Sequence, residues 1–129
     1  MSASRPDLRA LLAPRSIAVI GASTEPNKVG GMPIRLLLRH GYTGAIYPVH
    51  RTAPEIQGQR AYASLDAIGA PVDLVLVAVP ASACDDAMEQ LVRTGARAAI
   101  VFSSGFAEVS TDGARQQRRL GERARDAGI

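Results

Sequence analysis

The sequence predicts an α/β fold, an open parallel sheet with helices on both faces, and three observations predict it. The stretches Ile17-Ala-Val-Ile20, Leu74-Val-Leu-Val-Ala-Val79 and Ala98-Ala-Ile-Val-Phe102 are apolar without polar alternation, as strands buried on both faces are. Segments of helical length, ended by Gly41, Gly95 and Gly128, are interleaved with these runs. Each run also leads into a loop at what would be the carboxyl end of a strand, where open parallel sheets bind their ligands.

Taken in order, Pro6 to Leu12 reads as a short helix leading through Ala13-Pro14 into the first strand. Pro33 to His40 reads as a helix, with proline in its first turn and Gly41 as its stop. Ala45 to Val49 is the second strand. Thr52 to Pro71 lacks a long period, so a turn is expected at Glu55 to Gly58, an extended piece at Tyr62 and a helical turn begun by Ser64. Asp73 to Val79 is the third strand, stopped by Pro80, and Ser82 is expected to cap a helix through Arg93. Ala98 to Phe102 is the fourth strand, and Thr111 or Asp112 to Ala127 the last helix. Gly128-Ile129 reads as that helix turning toward a fifth strand. Residues 1–129 are therefore expected to form one domain that is part of a longer protein.

Composition narrows the function. With 47% hydrophobic residues in 129, one core is affordable. A net charge of +3 is too mild for a nucleic-acid footprint, and 4% aromatics without tryptophan supply no base-stacking platform. One cysteine excludes an internal disulfide and suits a reducing cytosol. No apolar run reaches membrane length, and Met1-Ser-Ala-Ser-Arg-Pro6 lacks the apolar core of a signal peptide. The expected location is cytoplasmic, with neither nucleic acid nor membrane as a partner.

The richest stretch is Ser16 to Gly31, a strand entering a glycine-bounded loop and then a helix, the arrangement of a phosphate cradle. It departs from the dinucleotide pattern Gly-x-Gly-x-x-Gly: Gly21 fills the first position, but Ser23 and Pro26 stand at the second and third, and the next glycines are Gly30 and Gly31. The residue after strand two is also not the carboxylate that would hold a bare ribose. His50 and Arg51 stand there, and they suit a phosphorylated one.

Across nearly the whole chain the motifs Ser16-Ile-Ala-Val-Ile-Gly-Ala-Ser23, Gly41-Tyr-Thr-Gly44, Tyr47-Pro-Val49, Val72-Asp-Leu74, Ala78-Val-Pro80 and Ser104-Gly-Phe-Ala-Glu108 resemble the CoA-binding domain of NDP-forming acyl-CoA synthetases. That family includes ADP-forming acetyl-CoA synthetases, the α subunit of succinyl-CoA synthetase and protein acetyltransferases that reuse the module. The resemblance implies a Rossmann-like domain whose crevice holds coenzyme A or an acyl-CoA. By position, Gly21, Ala22, Ser23, Thr24, Lys28, Val29 and Gly30 would embrace the phosphates. Pro48, His50 and Arg51 would take the nucleotide end, and Val79, Pro80, Ser103, Ser104 and Gly105 the remaining length. It also implies downstream ligase domains or a subunit, with ATP or ADP and magnesium bound only there. After Pro48-Val49 the family commonly continues Asn-Pro and a lysine, where this chain has His50-Arg51-Thr52. The family's phosphate-carrying histidine belongs to the downstream domain, and neither His40 nor His50 matches its context, so no catalytic or metal residue is expected here.

Other readings stand beside this one. An NAD(P)-binding oxidoreductase domain would account for the fold and the cationic end of strand two but not for the broken glycine pattern. A CoA-binding module of a lysine acetyltransferase, or a ligand-sensing module, would equally lack catalytic groups. Single residues also have plainer roles. His40 would complement a helix dipole, Cys84 would be a structural thiol, and Arg115, Arg118, Arg119, Arg123 and Arg125 a solvated face. Ser103 and Ser104 lack a nucleophile elbow and fit ligand donors better. Lys28 is balanced between a phosphate contact and a decoration of the loop.

Overall fold

The computed structural model describes residues 8–102 and 111–129. A one-turn helix α1 (Arg9–Leu12) precedes strand β1 (Ser16–Ile20), and helix α2 (Met32–Arg39) leads to β2 (Ala45–Val49). A small hairpin follows, β3 (Glu55–Ile56) and β4 (Gln59–Arg60), then a 3₁₀ turn at Asp66–Ile68. Strand β5 (Leu74–Val77), helix α3 (Ala81–Thr94), strand β6 (Ala98–Val101) and helix α4 (Thr111–Asp126) complete the order.

The main sheet is parallel throughout, in the spatial order β2-β1-β5-β6, with Ile17 opposite Ile46 on one side and Leu74 on the other. Its faces explain the unbroken apolar runs. Ile17, Val19, Leu74 and Leu76 face a cluster with Ala10 of α1 and Ile34 of α2. Ala18, Ile20, Val75 and Val77 face Cys84, Ala87, Met88 and Leu91 of α3 and Leu120 of α4. With both faces covered, alternation has no polar face to mark. This is the Rossmann-like architecture expected.

At the amino-terminal edge the strands are tied by polar side chains. Ser16 Oγ donates to Pro71 O and accepts from the Asp73 N–H at 2.9 Å, and Asp73 Oδ2 accepts the Arg15 N–H at 2.8 Å. The Tyr42 hydroxyl donates to Pro14 O, and burial, with the Asp73 charge second, pushes that phenol above its ordinary pKa.

Three expectations need correction, and β6 ends one residue early, at Val101 instead of Phe102. β5 is shorter than Asp73–Val79, because Asp73 is engaged with Ser16 and Arg15, and beyond the Ala78 N–H, which still bonds Ile20 O, Gly21 turns the neighbouring strand away. Ser82 does not cap α3: Pro80, at φ −57° and ψ 154°, is the last extended residue and Ser82 already lies inside the helix. The arginines of α4 are not all a free solvated face. Arg119 pairs with Asp85 and Arg123 with Glu89, each at 3.1 Å, fastening α4 to α3. The turn, the extended Tyr62 and the Ser64 helical turn lie where expected, Tyr62 bridging to Val49 and Ser64 Oγ accepting the Ala67 N–H.

Candidate functional site

From β1 the chain crosses to β2 on one side, and from β5 to β6 on the other, so the loops leaving β1 and β5 diverge. Between them opens a cleft of about 750 Å³, within the range of roughly 300–1,000 Å³ usual for small-molecule sites. Its floor is Ile20, Gly21 and Ala22 with Ala78, Val79 and Pro80. One wall is Val49 to Thr52 with Ala63 and Ser64, and the other is the face of α3 carrying Ala83, Asp86, Ala87 and Gln90.

Gly21 makes the floor possible. Its φ is +84°, and a Cβ there would lie 2.6 Å from Ala78 O, so both the turn and the strand approach require glycine. The loop that follows is folded on itself. The Ala22 N–H is spent on Val49 O and the Ser23 N–H on Gly30 O, while Ser23 Oγ accepts from the Glu25 N–H. Gln57, in the hairpin turn at φ +50°, donates its amide to Ser23 O at 3.2 Å and Gly31 O at 2.9 Å.

The structure therefore divides the sequence-predicted residues. Gly21, Ala22, His50, Arg51, Val79 and Pro80 come together in the cleft. Ser23, Thr24, Lys28, Val29, Gly30 and Pro48 do not line it. Gly30 is buried against the Gly21 carbonyl, Pro48 is sealed within β2, Val29 is exposed, and Lys28 pairs with Glu25 at 3.0 Å. Ser103, Ser104 and Gly105 lie outside the described residues.

Two positive features face the cleft. Arg51 is exposed and makes no hydrogen bond or ion pair among the described residues. The 14-residue α3 begins directly after Pro80, placing the positive end of the helix at the floor. His50 is a different kind of group. Its Nδ1 accepts the N–H groups of Thr52 at 3.2 Å and Ala53 at 2.9 Å, so it braces the turn and leaves Nε2 as its donor.

Sequence reasoning missed the α3 wall and the Ala63–Ser64 segment. A signal for the wall existed: residues 83, 86, 87 and 90 share the i, i+3, i+4, i+7 face of a helix starting after Pro80. Among the described residues no cluster of three His, Cys, Asp or Glu is placed to hold a metal, and no helix is long and apolar enough to cross a membrane.

Comparison with known proteins agrees with this fold. Acetate–CoA ligase [ADP-forming] II of Archaeoglobus fulgidus is 40% identical over 124 residues, covering 96% of this chain and 18% of that protein. The α subunit of acetate–CoA ligase [ADP-forming] I of Pyrococcus furiosus is 36% identical, covering 95% and 27%. The solved structure of a dinucleotide-forming acetyl-coenzyme A synthetase 1 from Ca. Korarchaeum cryptofilum, in complex with phosphate and ADP, superposes with a TM-score of 0.89 at 33% identity, covering 95% of this chain and 26% of that one. The chain thus spans about a fifth to a quarter of these relatives. The CoA-binding domain family matches residues 15–129, and the chain belongs to that family.

Proposed function

We infer that the cleft at the switch point is where this domain holds CoA, and that it does so as the CoA-binding part of an ADP-forming acid–CoA ligase. One observation carries the reading: the Gly21 turn, the amino terminus of α3 and Arg51, unpartnered among the described residues, converge on one cleft. CoA has a diphosphate in its middle and a third phosphate on its ribose. The diphosphate suits the floor, where Gly21 keeps the surface free of a side chain and the positive end of α3 favours an anion. The ribose phosphate suits Arg51, with the His50 Nε2 donor beside it. Val79 and Pro80 give the rest of the molecule an apolar path out along the floor.

The ligase assignment rests on the names and lengths of the relatives. In that reading carboxylate activation, ATP or ADP and magnesium belong to other parts of the protein, and this domain presents CoA to them. His40, at the carboxyl end of α2, takes no part.

Calorimetric titration of the chain with CoA, NAD and NADP tests the cleft assignment. CoA is expected to bind and to compete with any NADP binding. NADP binding undisturbed by excess CoA would overturn it.

A further inference from the structure

We propose that Asp86 is the residue that reads the base of the bound nucleotide, accepting a hydrogen bond from the exocyclic amine of adenine; this rests on CoA occupying the cleft as argued above. Asp86 lines the α3 wall together with Ala83 and Ala87, both small. Its carboxylate is held in place. Gln90 Nε2 donates to Asp86 Oδ2 at 3.1 Å, and Gln90 is itself fixed because its Oε1 accepts the Leu65 N–H at 3.0 Å. That second bond settles which way the Gln90 amide faces. Asp86 Oδ1 has no partner among the described residues.

A fixed carboxylate in a cleft that collects phosphates needs a reason to be there. Five residues along the helix from Ala81, it stands about 7 Å from the amino terminus of α3, away from the floor assigned to the diphosphate. As an ionised acceptor it seeks a donor, and the nucleotide end of CoA offers the ribose 2′-hydroxyl and the adenine amine. The ribose of CoA carries its phosphate on the adjacent carbon, so a carboxylate bonded to the 2′-hydroxyl would face that dianion at short range. The amine is uncharged and lies across the base from that phosphate. Asp86 therefore selects adenine over a base with a carbonyl at the same position.

The test compares wild-type protein with Asp86→Asn, using CoA, its hypoxanthine analogue and its 2′-deoxy analogue in calorimetry. Wild type is expected to bind the hypoxanthine analogue about tenfold or more weakly than CoA, because a carbonyl then faces the carboxylate. Asp86→Asn, whose amide can donate to that carbonyl, is expected to narrow the gap to about threefold or less while keeping the wild-type melting temperature. Equal wild-type affinity for CoA and the hypoxanthine analogue overturns the proposal and leaves the CoA site standing. So does a variant that keeps full discrimination, or one whose change falls on the 2′-deoxy analogue instead. Failure of wild type to bind CoA at all overturns both.

Discussion

The carbonyl oxygen of Ala78 lies 2.6 Å from the point that a Cβ on Gly21 would occupy. The ends of β1 and β5 approach this closely because their backbones are ladder-bonded up to the Ala78 N–H, which donates to Ile20 O. Gly21 then turns away at positive φ, and the space left above the two strand ends is the floor of the cleft. The same residue serves fold and site at once.

Gly21→Val is accordingly expected to destabilise the domain by about 2 kcal/mol or more, since it adds both an unfavourable φ and a clash with backbone. Chemical denaturation measures it. A variant as stable as wild type would show that the loop relaxes around the side chain.

Gln57→Ala removes the two bonds that tie the hairpin to the carbonyls of Ser23 and Gly31. The expected cost is about 1–2 kcal/mol, with faster amide exchange over residues 23–31 than elsewhere. Unchanged exchange in that segment would show that its internal bonds suffice.

The Asp66 carboxylate receives a two-pronged contact from Arg93, Nε to Oδ1 at 2.9 Å and Nη2 to Oδ2 at 2.6 Å. These hydrogen bonds hold its pKa below the ordinary carboxylate value. With the folded value below the unfolded one, the pair's contribution is present at neutral pH and is lost as pH falls through the carboxylate range. Both groups are exposed, so the effect is small. Asp66→Asn is expected to lower the melting temperature slightly at pH 7 and to reduce its fall toward pH 3. A variant whose acid sensitivity equals that of wild type would remove Asp66 from the list of responsible groups.

Most of the sheet was legible in the sequence because its strands are covered on both faces, so Ile17 to Ile20 and Leu74 to Val77 are apolar without interruption. Gly21, Arg51 and Pro80, which the structure places in the cleft, stood out in the sequence because strand ends announce themselves through glycine, proline and charge. The interior of the first loop was not. Lys28 and Gly30 look like phosphate ligands in one dimension, but Lys28 pairs with Glu25, and Gly30 is a glycine because it packs on the Gly21 carbonyl. The α3 wall was hidden for a related reason. Asp86 and Gln90 resemble any solvated helix face until Leu65, distant in sequence, is seen to hold Gln90 in place.

Arg51→Ala is expected to weaken CoA binding by about tenfold or more while leaving dephospho-CoA nearly unaffected, because a charge-assisted contact of roughly 1.5–3 kcal/mol is lost from one ligand only. Equal losses for both ligands would place the ribose phosphate elsewhere.

Backbone amide shift mapping during CoA titration tests the central claim most directly. The account predicts perturbations concentrated at residues 20–22, 50–52, 63–64 and 78–90, the floor and walls of the switch-point cleft, with residues 114–125 of α4 unmoved. Perturbations centred on the outer face of α4, with Gly21 and Arg51 silent, would contradict it.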